Sequence, residues 1–260
     1  MHHKKPQPPL RHILAAIAAL TMANSSWAFD VSQDTGLDRD YNEPFVFTAS
    51  GVILDCFGHT INGNGIGNGV TVTNKQRVRV RNCRITNFNR GVLLDGTTDS
   101  VFEANEVDNN KGSGMPGNMG AEGFHLQNES DRNLFAHNSV HDNARDGFDL
   151  DFSNGNAFVL NFVENNGING IELDDCSDND IIANLIIGNK HTGVSLDRSI
   201  RNVINKNTIN ENQSYGAHFA MGSNNNIFRY NDMCGNTPDQ FLIRGTGNQV
   251  IQNALQAVCP

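Results

Sequence analysis

Residues suited to proton transfer recur along the middle of the chain at near-constant spacing. His125, Asp149 and Glu172 each fall second after a glycine, in Gly123-Phe124-His125-Leu126, Gly147-Phe148-Asp149-Leu150 and Gly170-Ile171-Glu172-Leu173. Asp151 and Asp174 fall fourth after the last two of these glycines. Carboxylates held close to one another and to an imidazole push one another's pKa values apart, which is what general acid–base catalysis needs. Gln127, Ser195, Asp197 and His218 take equivalent places and would extend the face with groups that hydrogen-bond a substrate. Asp151 and Asp174 would also hold Ca2+, a hard cation that takes several carboxylate oxygens. No other cofactor is implied. His137, His141 and His191 fall in expected turns and show no zinc or copper spacing.

These residues meet only if a regular element stacks them. The pattern Gly-apolar-x-apolar begins at Gly69, Gly91, Gly123, Gly147, Gly170, Gly193 and Gly216, at intervals of 22, 32, 24, 23, 23 and 23. A second marker is an Asn before a short apolar segment. It falls at Asn82, Asn105, Asn138, Asn161, Asn184, Asn207, Asn231 and Asn253. Its intervals are 23, 33, 23, 23, 23, 24 and 22, and both markers lengthen by about ten residues in the same place. A fixed period of this size marks a solenoid. Each repeat holds short alternating strands split by Asn, Gly, Asp and Ser, with no helical stripe. The expected fold is all-β: a single-stranded right-handed parallel β-helix of about 23 residues per coil. Equivalent residues of successive coils then stack roughly 5 Å apart, and the eight Asn would form amide ladders inside one turn. Strand alternation turns positions two and four after each Gly outward, which gathers His125, Asp149, Asp151, Glu172 and Asp174 on one face. The lengthened repeat, 111–122, is Gly-rich and would wall that face.

Composition agrees. The chain has 260 residues with 38 Asn and 25 Gly, and the formal net charge is −9. Acidity argues against a nucleic-acid partner, and no apolar run is long enough for a transmembrane segment. Residues 1–28 read as a signal peptide. Lys4, Lys5 and Arg11 precede the apolar stretch Ile13 to Met22, and Ala28 closes a small-residue cleavage site. The mature chain, 29–260, would carry 16 basic and 28 acidic residues, a net of −12. It reads as one domain with caps at 29–50 and 235–260, monomeric, secreted or periplasmic. In an oxidising compartment spacing suggests Cys56 with Cys83 and Cys234 with Cys259, leaving Cys176, although five cysteines allow other pairings.

The segment Leu54-Asp55-Cys56-Phe57-Gly58-His59-Thr60-Ile61 and the Asn-x-x-apolar repeats resemble the secreted Asn-rich parallel β-helix proteins. These include mannuronan C5-epimerase modules, polysaccharide lyases and the periplasmic accessory protein of nitrous oxide reductase copper maturation. Asp146-Gly147-Phe148-Asp149-Leu150-Asp151 is similar to the D-G-F-x-x-D strand of the epimerases, which implies a catalytic-site carboxylate at Asp151. Their Y-G-F-D-P-H-E strand is altered: Glu122, His125 and Gln127 stand where they have Tyr, Asp and His. The polygalacturonase set is represented only by its D-D, Asp174-Asp175. The resemblance implies a carbohydrate-active protein that binds an acidic polysaccharide and acts by lyase or epimerase chemistry. On that reading His125 takes the C5 proton, Glu172 or Asp174 assists, and Asp149 or Asp151 neutralises the uronate. The alternatives are a non-catalytic glycan- or Ca2+-binding module, a metal-insertion accessory factor, and a purely structural β-helix.

Overall fold

The structure, a computed structural model, describes residues 28–112 and 120–259. The expected signal peptide therefore lies outside the described residues apart from Ala28, as do residues 113–119 of the insertion. Every regular element among the described residues is a β-strand. The strands stack as a right-handed parallel β-helix with three sheets of ten, ten and nine strands. We call these sheets A, B and C, in the order the chain visits them. Among the described residues no helix is long and apolar enough to cross a membrane.

The coil follows from what each short segment can bury. Sheet B and sheet C strands are mostly three residues with one inward side chain, such as Phe135 in Leu134–Ala136 and Val140 in Ser139–His141. Sheet A strands carry two, such as Phe148 and Leu150 in Phe148–Asp151. Equal residues stack coil on coil: the Phe135 and Phe158 rings lie 4.9 Å apart and parallel, as do those of Phe124 and Phe148. The two segments expected as caps add strands to the stack. Phe29–Val31 and Phe45–Phe47 pair in sheet A, and Asp239–Ile243, Gln249–Ile251 and Ala254–Gln256 continue all three sheets. Their polar residues take outward places while Val31, Phe45 and Phe47 point in.

Three Asn ladders hold the corners. Asn105, Asn138, Asn161, Asn184, Asn207, Asn231 and Asn253 form one, each Nδ2 donating to the next Oδ1 at 2.9–3.0 Å. Asn82 is not in it. It sits one place earlier, in the left-handed column with Ala104, His137 and Leu160, and donates to Asp55. Cys83 takes the ladder position, its N–H donating to Asn105 Oδ1, and is bonded to Cys56. The other ladders run from Asn133 to Asn248 and from Asn110 to Asn236. Buried amides paired in this way satisfy the corner backbone that each turn would otherwise orphan. Cys234 is bonded to Cys259, and Cys176 is free and buried.

The repeated glycine is required by space. A Cβ on Gly147 would lie 2.7 Å from the Gly170 carbonyl and 2.7 Å from Val163 Cγ1 in the core. The glycine position and the residue after it thus both face inward. The alternation resets there, and the residue before the glycine faces outward beside positions two and four.

Candidate functional site

Three columns therefore cross the outer face of sheet A. Position two stacks His125, Asp149, Glu172, Ser195 and His218 in register. Position four stacks Asp151, Asp174 and Asp197, with Gln127 one coil before. The third column precedes the glycine. Ladder bonds from Gly91, Gly123, Gly147 and Gly170 N–H to the carbonyls of Glu122, Asp146, Asn169 and Thr192 place those residues side by side after Arg90.

His125 is the centre. It is buried, with Nδ1 3.2 Å from Asp149 Oδ2 and Nε2 3.0 Å from Gln127 Oε1. Asp151 Oδ2 lies 3.8 Å from Nε2. Burial opposes a charge on the imidazole, but the hydrogen bond and field of Asp149 outweigh it and raise the pKa above the ordinary value. Around it lie two buried carboxyl groups. Glu122 is paired with Arg90 Nε at 2.8 Å and Arg145 Nη1 at 3.5 Å. Asp146 accepts the Asn169 N–H at 2.8 Å, and burial, with Glu172 and Asp149 adding, pushes it up to about 8. Glu122 Oε1 and Asp146 Oδ2 accept no hydrogen bond from the described residues. Glu172 is pushed up to about 7 by burial and then by Asp149, against a hydrogen bond from Asn169 Nδ2 at 3.1 Å. Asp151 is raised for the same two reasons.

His125, Gln127, Asp149, Asp151, Glu172 and Asp174 line one cleft of ≈ 320 Å³, with Arg90 and Arg145. Ser195, Asp197 and His218 lie beyond it on later coils. A wider hollow of ≈ 480 Å³ at Phe57, Arg84 and Glu106 is lined by no imidazole. The stacked acids are stabilised partly by proton uptake and partly by cations. Arg198 spans Asp174, Asp175 and Asp197, with Nη2 3.0 Å from Asp175 and Nη1 2.6 Å from Asp197. It thereby occupies Asp174, one half of the expected Ca2+ pair with Asp151. Among the described residues the ligand atoms that do converge, within 4.8 Å of one another, belong to Glu122, His125 and Asp149.

Sequence reasoning passed over Arg90, Glu122, Arg145, Asp146 and Arg198 as site residues. A signal for the outer column was present, since a polar residue precedes the glycine in Arg90-Gly91, Glu122-Gly123, Asp146-Gly147 and Asn169-Gly170. His141 departs from the turn expected of it: it ends the strand Ser139–His141, between Asp142 at 2.9 Å and Glu106 at 3.4 Å.

The fold is shared with solved structures. The periplasmic alginate epimerase AlgG superposes with a TM-score of 0.63 at 14% identity, over 82% of this chain and 51% of that one. The A-module of Azotobacter vinelandii mannuronan C-5 epimerase AlgE4 gives 0.59 at 14% identity, over 90% and 81%. The Dettilon tailspike protein gives 0.60 at 12% identity, over 88% and 59%. At such identities the likeness is one of fold alone. The chain spans about half the length of AlgG. No curated protein matches it in sequence. The family model for the periplasmic copper-binding protein NosD matches residues 30–254, and the chain belongs to the NosD family.

Proposed function

We propose that the sheet A cleft is an acid–base site acting on an extended acidic polysaccharide in the periplasm, by proton abstraction of the uronan lyase or C5-epimerase type. The observation that carries this reading is His125, a buried imidazole bonded through both ring nitrogens, with a carboxyl near neutrality two coils along. Acceptor oxygens beside both nitrogens and a pKa raised by Asp149 favour the imidazolium form of His125, and on this reading it is the acid. This reverses the role expected of it from sequence. Glu172, close to half ionised at neutral pH, is the base. In a lyase step Glu172 takes the C5 proton, the C4–O bond breaks, and His125 protonates the departing oxygen. In an epimerase step Glu172 keeps the proton it takes from C5, and the His125 imidazolium gives its own proton to the opposite side of C5. Asp149 fixes the ring and stabilises its charge, as a carboxylate behind an imidazole does. Asp151 is the carboxyl placed to share a proton with the uronate. Two relatives in fold are alginate or mannuronan epimerases, which supports the substrate class. The test is turnover of alginate and pectate by the protein and by His125→Ala, Glu172→Gln and Asp151→Asn. Each variant should abolish turnover with its circular dichroism unchanged, and full activity in all three would refute the assignment.

A second reading, a non-catalytic metal-binding module, is favoured by the family description and by the convergence of Glu122, His125 and Asp149. One nitrogen and two carboxylates suit Zn2+, Mn2+ or Cu2+, whereas Cu+ prefers thiolate or thioether ligands. Both guanidiniums would have to leave Glu122 for an ion to enter, and Cys176 is a poor ligand, its thiol pushed up to about 12 by burial. Equilibrium dialysis with Zn2+, Mn2+ and Cu2+ separates the readings: stoichiometric binding lost in Glu122→Gln supports the second.

A further inference from the structure

The acidic character of the sheet A face ends two coils beyond Glu172. In position four, Asp174 and Asp197 are followed by Ala220 and then by Arg244; the Arg244 N–H donates to the Phe219 carbonyl, which fixes this register. Arg90, Arg145 and Arg198 all hold carboxylates. Arg244 makes no ion pair among the described residues and is exposed. Ala220 puts only a methyl group between Asp197 and Arg244 in this column, and Asp197 is already held by Arg198. One coil before Arg244, in position two, stands half-buried His218, paired in register with Leu242 and stacked on Tyr215 with ring centroids 5.6 Å apart. Tyr215 lies in the outer column, so Tyr215 and His218 cross the face one coil before Arg244. Burial, with Arg244 and His191 adding, holds the His218 pKa low, so the ring is a neutral hydrogen-bonding partner at neutral pH. Asp239, the nearest acid in this coil, neighbours Tyr215 at the opposite edge from Arg244.

We propose that Arg244, with His218 and Tyr215, is a carboxylate-binding subsite for the acidic polysaccharide, three coils along from Glu172. The inference rests on the reading of this face as a polysaccharide site and deepens it by assigning the ligand's charge and direction. A guanidinium free of protein carboxylates is the group that recognises a planar carboxylate by paired hydrogen bonds. An imidazole and a phenol one coil before it offer hydrogen bonds to sugar hydroxyls. Three coils amount to roughly 14 Å, so a polymer lying along the solenoid axis reaches both places at once. The negative cleft repels a uronate chain, and Arg244 supplies attraction where the cleft cannot.

The test is calorimetric titration of oligomannuronate and oligogalacturonate long enough to span four coils, beside the same oligomers with their carboxyl groups reduced to alcohols. The unmodified protein should bind the charged forms at least about tenfold more tightly than the reduced forms, the discrimination expected of one charge-assisted contact. Arg244→Gln should lose that preference and keep its affinity for the reduced forms, while Arg79→Gln, which removes an arginine of sheet B paired with Glu103, should bind as the unmodified protein does. Arg244→Gln binding the charged oligomers undiminished would overturn the subsite alone. Failure of the unmodified protein to bind any oligomer would overturn the subsite together with the polysaccharide reading.

Discussion

Glu172→Gln should stabilise the protein at alkaline pH and leave it unchanged in acid. Glu172 titrates near 7 in the folded chain against an ordinary 4.5. Between those values the native state keeps a proton that the unfolded state has released. A raised folded pKa on a carboxyl therefore gives stability that is complete below the unfolded value and is lost as pH rises to the folded one. The difference corresponds to about 3 kcal/mol at about 1.4 kcal/mol per pH unit. The side chain is not wholly buried and shares its field with Asp149, which reduces the measurable effect to about 2 kcal/mol. Gln keeps an oxygen for the Asn169 Nδ2 donor and does not titrate. Asp146, which is raised partly by Glu172, falls in the variant and acts in the same direction. Urea unfolding followed by circular dichroism from about pH 4 to about pH 8 reads the result. The variant should match the unmodified protein at the acid end and exceed it by about 2 kcal/mol at the alkaline end. A difference that does not change with pH would show that Glu172 is ordinary, and the acid–base assignment would lose its base.

Two further outcomes test the scaffold around the site. Asn161 accepts from Asn138 N–H and Nδ2 and donates to the Phe135 carbonyl and Asn184 Oδ1, all within 3.0 Å. Asn161→Ala orphans those buried groups and should cost about 3–5 kcal/mol in urea unfolding; a loss under about 1 kcal/mol would mean the ladder is only a consequence of the turns. Cys176 is buried and its thiol is pushed up to about 12. It should not react with a chromogenic disulfide reagent in the folded protein and should react once unfolded in urea; prompt reaction in the native state would contradict its burial.

The coil was legible because its two markers have separate physical causes. Glycine recurs where a Cβ would strike the next coil, and Asn recurs where a buried corner needs both donors and an acceptor. The expected ladder slipped at Asn82 because Asn serves two adjacent places, the left-handed residue and the amide after it. Only the position of Cys83 under Asn105 tells them apart. The acids of positions two and four were readable from strand alternation. Glu122 and Asp146 were not, because alternation fails at the glycine that turns the chain into sheet A. The clamp of Arg198 was also hidden: a long side chain reaches back one coil to Asp174 and Asp175, and no periodicity records that.

The central claim is that His125 and Glu172 move protons on a polysaccharide. Incubation of the protein and its His125→Ala variant with alginate and pectate, with and without a chelator, tests it most directly. Ultraviolet absorbance detects an unsaturated product, and proton NMR detects inversion at C5. The account predicts one of these products from the unmodified protein, independent of the chelator, and none from His125→Ala. Equal product from both proteins, or no product from either polymer, would contradict it.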